Sequence, residues 1–155
     1  MVVDPGGFTD IGVKKGSRNA IGIGGQPPTS QKKFVITSWS KKLVRPKELV
    51  EKVFSLYKEW RVRRCNVETF AGQYYILQHF RDERERQKLN INLWELEKDV
   101  GADAKDTRIQ GLIEPAANGD IYLHESLRKS NLTSEWVSHP VGITNDELDC
   151  LAWLN

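Results

Sequence analysis

Hydrophobic and polar positions follow two different periods along the chain, and the change of period separates the predicted elements. Near the start, short β-branched and aromatic runs predict three strands, one at Val2 and Val3, one over residues 20–23 and one over residues 33–39. Gly-rich connections separate these runs. The pattern predicts an antiparallel meander of three strands.

After the meander, the apolar period lengthens to that of a helix. Pro46 is suited to the first turn, because a helix leaves that N–H unsatisfied in any case. An apolar stripe with helical spacing follows, at Leu49, Val50, Val53, Phe54, Tyr57 and Trp60. A strand over residues 63–70, a helix over 72–87 and a strand over 89–94 are predicted next, and this alternation is typical of a mixed α/β sheet.

The last third of the chain adds shorter elements. Asp103 is a candidate cap for a helix that runs to about Ile113. The dipeptide Asn118-Gly119 predicts a two-residue hairpin turn before the apolar run at 121–123, and a final helix is predicted over 144–153. Without internal repeats or a long linker, the sequence predicts one domain over residues 1–155 with an α/β mixed sheet of about five strands flanked by helices.

Composition narrows the class of protein. The chain has 155 residues, of which 39% are hydrophobic and 28% charged, as in globular proteins. No apolar run reaches the roughly 18–20 residues of a membrane span, and the start does not resemble a signal peptide. Two cysteines are too few for a disulfide framework. We therefore expect an intracellular protein that is neither secreted nor bound to a membrane.

The net charge of +2 hides an asymmetry between the two halves of the chain. Residues 1–64 carry 14 Lys and Arg against 5 Asp and Glu, whereas residues 65–155 carry 9 against 16. A basic half joined to an acidic half indicates a surface for a polyanion near a site for cations, although ordinary solvated charges give the same count.

The sequence does not contain the complete motifs for dinucleotide, nucleoside triphosphate, calcium or zinc binding. The run Gly22-Ile23-Gly24-Gly25-Gln26-Pro27 has Pro where a dinucleotide fingerprint needs its third Gly, and no P-loop motif occurs. Residues 99–110 lack the Gly and the final Glu of a calcium loop. Three scattered histidines and two distant cysteines have no zinc spacing.

One group of acidic residues remains as a candidate functional site. Asp4 ends the first predicted strand, Glu68 lies in the strand after the first helix, and Asp146 and Asp149 share one face of the last helix. If the strands of Asp4 and Glu68 are neighbours, these carboxylates converge and repel one another unless cations neutralise them. Such a cluster suits a pair of Mg²⁺ or Mn²⁺ ions that hydrolyse a phosphodiester. The alternative is that Asp4 forms a turn and that the two helical acids serve the helix dipole.

The ordered motifs of the chain resemble a known family. The first is Val-Val-Asp-Pro-Gly-Gly at residues 2–7, and Val-Glu-Thr-Phe-Ala-Gly-Gln follows at 67–73. The others lie at residues 45–49, 105–109, 119–123 and 145–152. In this order they are similar to the C-terminal nuclease domain of the large terminase subunit, the DNA-packaging motor of tailed phages, which has a counterpart in herpesviruses.

The resemblance implies an RNase H-like fold and a metal-dependent endonuclease that cleaves double-stranded DNA during viral genome packaging. It implies Asp4, Glu68 and Asp146 as metal ligands, with Asp149 in a supporting catalytic role. The chain departs from the family at Asn145, where a first acid is usual. The implied partners are a terminase ATPase domain, which residues 1–155 do not include, the small terminase subunit and the portal. The implied location is the cytoplasm of an infected bacterium.

Two alternatives remain open. A RuvC-like Holliday-junction resolvase shares the RNase H-like fold, the Asp-Pro-Gly first strand and two acids three residues apart near the end. A catalytically silent RNase H-like module that holds or docks DNA is the other, and Asn145 favours it.

Phosphate contacts are expected from basic residues that flank the acids. Lys14, Lys15 and Arg18 follow the first strand, and Lys105 and Arg108 lie three apart at the start of a helix. An alternative path for the DNA runs over Lys41, Lys42 and Arg45.

Overall fold

The computed structural model describes residues 1–6, 18–69, 74–97 and 104–154. Its centre is a six-stranded sheet with the order β5-β4-β1-β2-β3-β6. In chain order the strands are β1 Val2–Asp4, β2 Asn19–Gly25, β3 Lys33–Lys41, β4 Cys65–Thr69, β5 Leu93–Glu97 and β6 Ile121–Leu123. Five strands were predicted, and the short edge strand β6 is the addition.

The pairing within the sheet is mixed. Strand β1 is antiparallel to β2, and β2 is antiparallel to β3, which confirms the predicted meander. On the other side, β1 runs parallel to β4 and β4 runs parallel to β5. The predicted adjacency of the first strand and the Glu68 strand is therefore confirmed.

Helices cover the sheet on both faces. They are α1 Pro46–Glu59, α2 Tyr74–Gln87, α3 Ala104–Gln110, α4 Ile113–Ala117, α5 Asn131–Ser138 and α6 Asp146–Trp153, with a 3₁₀ turn over Glu125–Lys129. Across the described ranges, no helix has the length and the apolar content to cross a membrane.

The alternation of side chains along β1 decides which helix each residue meets. Val3 packs in a core cluster with Val53 and Phe54 of α1, whereas Val2 packs with Cys150 of α6. Successive side chains of a strand point to opposite faces, so Asp4 shares the face of Val2 and lies on the α6 side. The face of the sheet that receives the last helix is thus the face that carries the first acid.

The predicted stripe of the first helix is confirmed, with one residue outside it. Leu49, Val50, Val53 and Phe54 are buried, while Trp60 lies beyond the end of α1 and is 39% exposed. The fifth strand was predicted over residues 89–94, but it begins at Leu93, and the buried Ile91 lies in the connection before it.

The predicted hairpin at Asn118-Gly119 is wrong. These residues end helix α4, where Gly119 has a φ of 72° and donates its N–H to the carbonyl of Ala116. The N–H of Asp120 reaches the carbonyl of Pro115, which completes a Schellman motif. The strand that follows, β6, then pairs with β3 in parallel.

Gly24 and Gly25 offer a matched test of how closely β2 packs on β3. A Cβ on Gly24 would lie 2.7 Å from the backbone oxygen of Phe34, whereas one on Gly25 would meet nothing within 4 Å. We expect Gly24→Ala to lower the free energy of unfolding by about 1–3 kcal/mol, because the neighbouring backbone of β3 must move. Gly25→Ala is the control and should change it by less than about 0.5 kcal/mol. Urea denaturation of both variants measures the difference, and equal effects would contradict the close packing of β2 on β3.

Candidate active site

Two neighbouring strands bring Asp4 and Glu68 together. In the parallel pair of β1 and β4, Val2 lies beside Asn66 and Val3 beside Val67, so the next residues in each strand are Asp4 and Glu68. Val67 packs on the α1 side, and Glu68 therefore points to the opposite face, as Asp4 does. Both carboxylates lie at the carboxyl ends of their strands, on the α6 side of the sheet.

Helix α6 supplies the third carboxylate. One carboxylate oxygen from each of Asp4, Glu68 and Asp149 can be chosen so that all three lie within 4.8 Å of one another. The three residues are 6%, 1% and 1% exposed, respectively. Such buried clustering is unfavourable for carboxylates alone and indicates a site for cations.

A glycine lets α6 approach the sheet closely enough for this contact. Cys150 packs against Val2 and Ala20, and a Cβ on Gly22 would lie 3.3 Å from the Cβ of Cys150. A Cβ at position 22 would require Cys150 to move by a few tenths of an ångström. Asp149 precedes Cys150 in the helix, so the packing of Cys150 sets the distance between Asp149 and the strands.

Asp146 lies beside this cluster and has other partners. Its Oδ2 accepts a hydrogen bond from the backbone N–H of Arg18 at 3.1 Å, and its Oδ1 accepts one from Lys105 Nζ at 2.9 Å. Within the described part of the chain, it is not among the acids whose oxygens come within 4.8 Å of one another. The geometry thus joins Asp149, rather than Asp146, to Asp4 and Glu68.

Helix α3 presents two cations to these acids. Arg108 makes a bidentate pair with Asp149, with Nε 2.9 Å from Oδ1 and Nη2 3.0 Å from Oδ2. Its guanidinium also lies over the ring of Trp153, 4.4 Å from the centroid. Lys105 Nζ lies 3.9 Å from Asp149 Oδ2 in addition to its bond to Asp146.

Burial and charge act in opposite directions at this site. Burial raises the pKa of Asp149, while Lys105 and Arg108 lower it and Glu68 raises it, with a net increase. Burial lowers the pKa of Lys105, but the carboxylates of Asp146 and Asp4 outweigh it, and the pKa is raised overall. Burial also raises the pKa of the Cys150 thiol, which is therefore protonated at neutral pH. Among the described residues, Lys105 and Arg108 thus offset part of the acidic charge of the site.

The basic residues predicted to bind DNA have different outcomes. Lys14 and Lys15 lie outside the described residues, as does Asp103. Arg18 lies next to Asp146 through its backbone, and Lys105 and Arg108 contact the acids directly. Their role in binding DNA stays a prediction.

Glu135 is a site residue that the sequence analysis missed. It is 4% exposed on α5, and its Oε2 accepts hydrogen bonds from the backbone N–H groups of Glu147 at 2.8 Å and Leu148 at 3.0 Å. It therefore caps the start of α6 from a neighbouring helix. The available signal was its position three residues after the buried Leu132, on the apolar side of α5.

The pKa of Glu135 predicts a dependence of stability on pH. Burial raises this pKa above the usual 4.5, although hydrogen bonds from Leu148 and Thr144 lower it in part. With a folded-state pKa above the unfolded one, the contribution to stability is full below pH 4.5 and is lost as the pH rises through the folded value. Glu135→Gln removes this titration and keeps an acceptor for the cap.

We therefore expect the free energy of unfolding of Glu135→Gln to gain on that of the wild type as the pH rises from about 4, and then to level off. Urea denaturation at a series of pH values measures the gain. A constant difference across the series would show that Glu135 does not titrate as its burial implies.

Comparisons with known proteins give one informative result. No protein-family model and no curated protein matches the sequence. Among solved structures, the chain is similar to the Fowlpox virus resolvase in its crystal structure with substrate Holliday junction DNA. The TM-score is 0.52 at 12% sequence identity, and the alignment covers 99% of this chain and 95% of that one. At this identity the likeness shows the fold, and the chain has the RNase H-like fold.

Proposed function

We propose that this protein is a divalent-metal-dependent endonuclease that hydrolyses phosphodiester bonds of DNA. The observation that carries the proposal is the convergence of Asp4, Glu68 and Asp149 from two adjacent strands and one helix, with oxygens within 4.8 Å. Three separate elements place these acids, and they converge on the face of the sheet that α6 covers.

The donor set fits Mg²⁺ or Mn²⁺. All three candidate ligands are carboxylates, which hard divalent cations prefer, and the set has no thiol or imidazole that would favour a softer metal. Two such ions would lower the pKa of an attacking water and stabilise the leaving 3′ oxygen.

The chain's own residues prepare the site for an anionic substrate. Arg108 holds the carboxylate of Asp149 in one orientation through two hydrogen bonds and is itself supported by Trp153. Lys105 lies between Asp146 and Asp149 and offsets charge that would repel a phosphate. Asp146 in turn orients Lys105, a supporting role in place of the ligand role that the family resemblance implies.

A four-way DNA junction is the substrate that we favour. The similar solved structure is that of a resolvase with Holliday junction DNA, and the alignment extends over nearly all of both chains. The order of motifs favours a second candidate, cleavage of linear duplex DNA by a terminase nuclease during viral packaging. In that case an ATPase domain, a small subunit and a portal would be the partners.

Cleavage assays separate these candidates. Four-way junctions with labelled arms, linear duplexes of the same sequence and supercoiled plasmid are incubated with Mg²⁺, Mn²⁺ or EDTA. A resolvase should cut the junction at symmetric positions and leave the linear duplex intact, whereas a terminase nuclease should cut plasmid and linear DNA. Asp4→Ala should be inactive, and the matched control Asp106→Ala, at an exposed position of α3, should retain activity.

The same protein tests the catalytically silent alternative. Titration with Mn²⁺ should reveal binding in the wild type that Asp4→Ala loses. Wild-type protein that neither binds Mn²⁺ nor cleaves any of the three DNAs would overturn the proposed function.

A further inference from the structure

A polar cavity adjoins the acidic site on the side of Asp146. Its volume is about 490 Å³, and its lining includes Arg18, Lys42 and Asn131. The backbone N–H of Arg18 contacts Asp146, which connects the cavity to the carboxylates. Arg18 Nη1 and Asn131 Nδ2 both reach the Oγ of Ser40, at 3.4 Å and 3.3 Å. The lining also includes Glu135, whose carboxylate is turned to the start of α6, so the two cations and the amide are the groups that suit a phosphate.

The connection between α5 and α6 forms the rim of this cavity and is unusual in its exposure. Val141 and Ile143 lie on the lining, and they are 90% and 96% exposed. Isolated apolar residues on a surface need no explanation, but here two β-branched side chains flank one glycine beside a cavity that Arg18 and Lys42 also line.

The conformation of this rim is held by the surrounding structure. A Cβ on Gly142 would lie 2.5 Å from the Oγ of Ser138, a hydroxyl that donates to the carbonyl of Ser134 at 2.8 Å. The glycine therefore lets the chain fold closely over the end of α5. On either side of it, Glu135 accepts the N–H of His139 through its carbonyl and caps α6 through its carboxylate. Val141 and Ile143 thus project from a braced turn.

We propose that Val141 and Ile143 form an apolar wedge that enters the opened base steps of branched DNA, while Arg18 and Lys42 hold the neighbouring phosphates. This inference rests on the proposed nuclease function and adds how the site would recognise branched DNA. Apolar side chains that enter between base steps stabilise distorted DNA, and this contact selects structure in place of sequence.

Two features favour DNA over a protein as the partner of this rim, namely the cations on the cavity lining and the small area of the two exposed side chains. Arg18 and Lys42 on the lining complement phosphates, and the cavity adjoins acids that are proposed to act on a phosphodiester. Two projecting side chains offer far less than the roughly 800 Å² that each partner of a stable protein complex buries.

The test compares Val141→Ser/Ile143→Ser with Val137→Ser. Val137 is 81% exposed on α5 and lies outside the lining of this cavity, so its substitution is a matched control. Affinities for a four-way junction and for a linear duplex are measured by fluorescence anisotropy in Ca²⁺. Junctions with 2-aminopurine at the branch point report unstacking. We expect the preference of the double variant for the junction to fall by about tenfold, because two apolar contacts with bases are removed. We also expect the wild type and the control to raise the 2-aminopurine fluorescence and the double variant not to raise it.

A second variant addresses the phosphate contacts. Arg18→Gln/Lys42→Gln should weaken the binding of both DNAs and lower the salt slope by about two, since each phosphate contact contributes about one.

The outcomes separate this proposal from the proposed function. Unchanged junction preference and 2-aminopurine signal in the double variant overturn the wedge, even if cleavage persists. A change in oligomeric state by light scattering, seen in the double variant and not in the control, also overturns it, because the rim would then contact another copy. Failure of the wild type to cleave any DNA counts instead against the nuclease function itself.

Discussion

Glu68→Gln is expected to abolish DNA cleavage, with a loss of about 10³-fold or more in rate. The amide has nearly the same volume as the carboxylate but carries no charge, and it is a poor ligand for a hard divalent cation. Loss of a ligand removes several kcal/mol of stabilisation from the transition state, and each 1.4 kcal/mol is about tenfold in rate. Single-turnover cleavage with saturating protein measures the chemical step.

The folded state should survive this substitution. Glu68 is 1% exposed, and an amide of nearly the same volume keeps the packing around it. The control is Glu95→Gln, the same change at an exposed position of the neighbouring strand β5. If Glu68→Gln cleaves as fast as this control, Glu68 is not part of the catalytic centre.

The second large effect concerns two acids of one helix. We expect Asp149→Asn to lower cleavage by about 10³-fold and Asp146→Asn by about 10–100-fold, the range typical of residues that orient a ligand or its partners. Asp149 lies with Asp4 and Glu68, whereas Asp146 bonds Lys105 and a backbone N–H. This order reverses the roles that the family resemblance implies.

Binding of Mn²⁺ provides the decisive measurement for this pair. Isothermal titration should show that Asp149→Asn loses a binding event, while Asp146→Asn retains all events with weaker affinity. The two variants control for each other, because both remove one buried charge from α6. Equal loss of binding in both would show that the two acids are ligands, and a greater loss in Asp146→Asn would restore the order implied by the family.

The sequence predicted the position of Asp4 and Glu68 because strand chemistry is local. β-Branched residues mark β1 and occur at alternate positions of β4, and the alternation of each strand assigns a face to each side chain. The local sequence does not determine which strands are neighbours. The adjacency of β1 and β4 was therefore a condition of the predicted site, and the structure confirms it.

The ranking of Asp146 and Asp149 could not be obtained in this way. Residues three apart on a helix share a face, so their spacing treats them alike. Their difference lies in their tertiary contacts, since Asp149 meets Asp4 and Glu68 while Asp146 meets Lys105 and the backbone N–H of Arg18. The cations of α3 also differ in their partners. Lys105 and Arg108 were expected to flank the acids, but the sequence did not indicate that Lys105 bonds Asp146 and Arg108 bonds Asp149.

The wrong turn at Asn118-Gly119 has a related cause. A glycine with positive φ serves a hairpin turn and a helix end equally well, and the short sequence before it, Ile113–Ala117, contains Pro115 within a helix of only five residues. Local chemistry specified the backbone conformation at Gly119, while the partner strand of β6 was set by distant packing.

The first and the last elements of the chain meet at the carboxylates, since Asp4 belongs to β1 and Asp149 to α6. An ion shared by these residues would close a loop that runs from residue 4 to residue 149. Closing so long a loop costs the unfolded chain conformational entropy. The folded chain does not lose this entropy on binding, because folding has already brought the residues together. The ion should therefore bind the folded chain far better than the unfolded chain, and the melting temperature should climb with the logarithm of the Mn²⁺ concentration. Proteolytic removal of α6 would then take away Asp149 and leave β1 and β4 with only two of the three carboxylates.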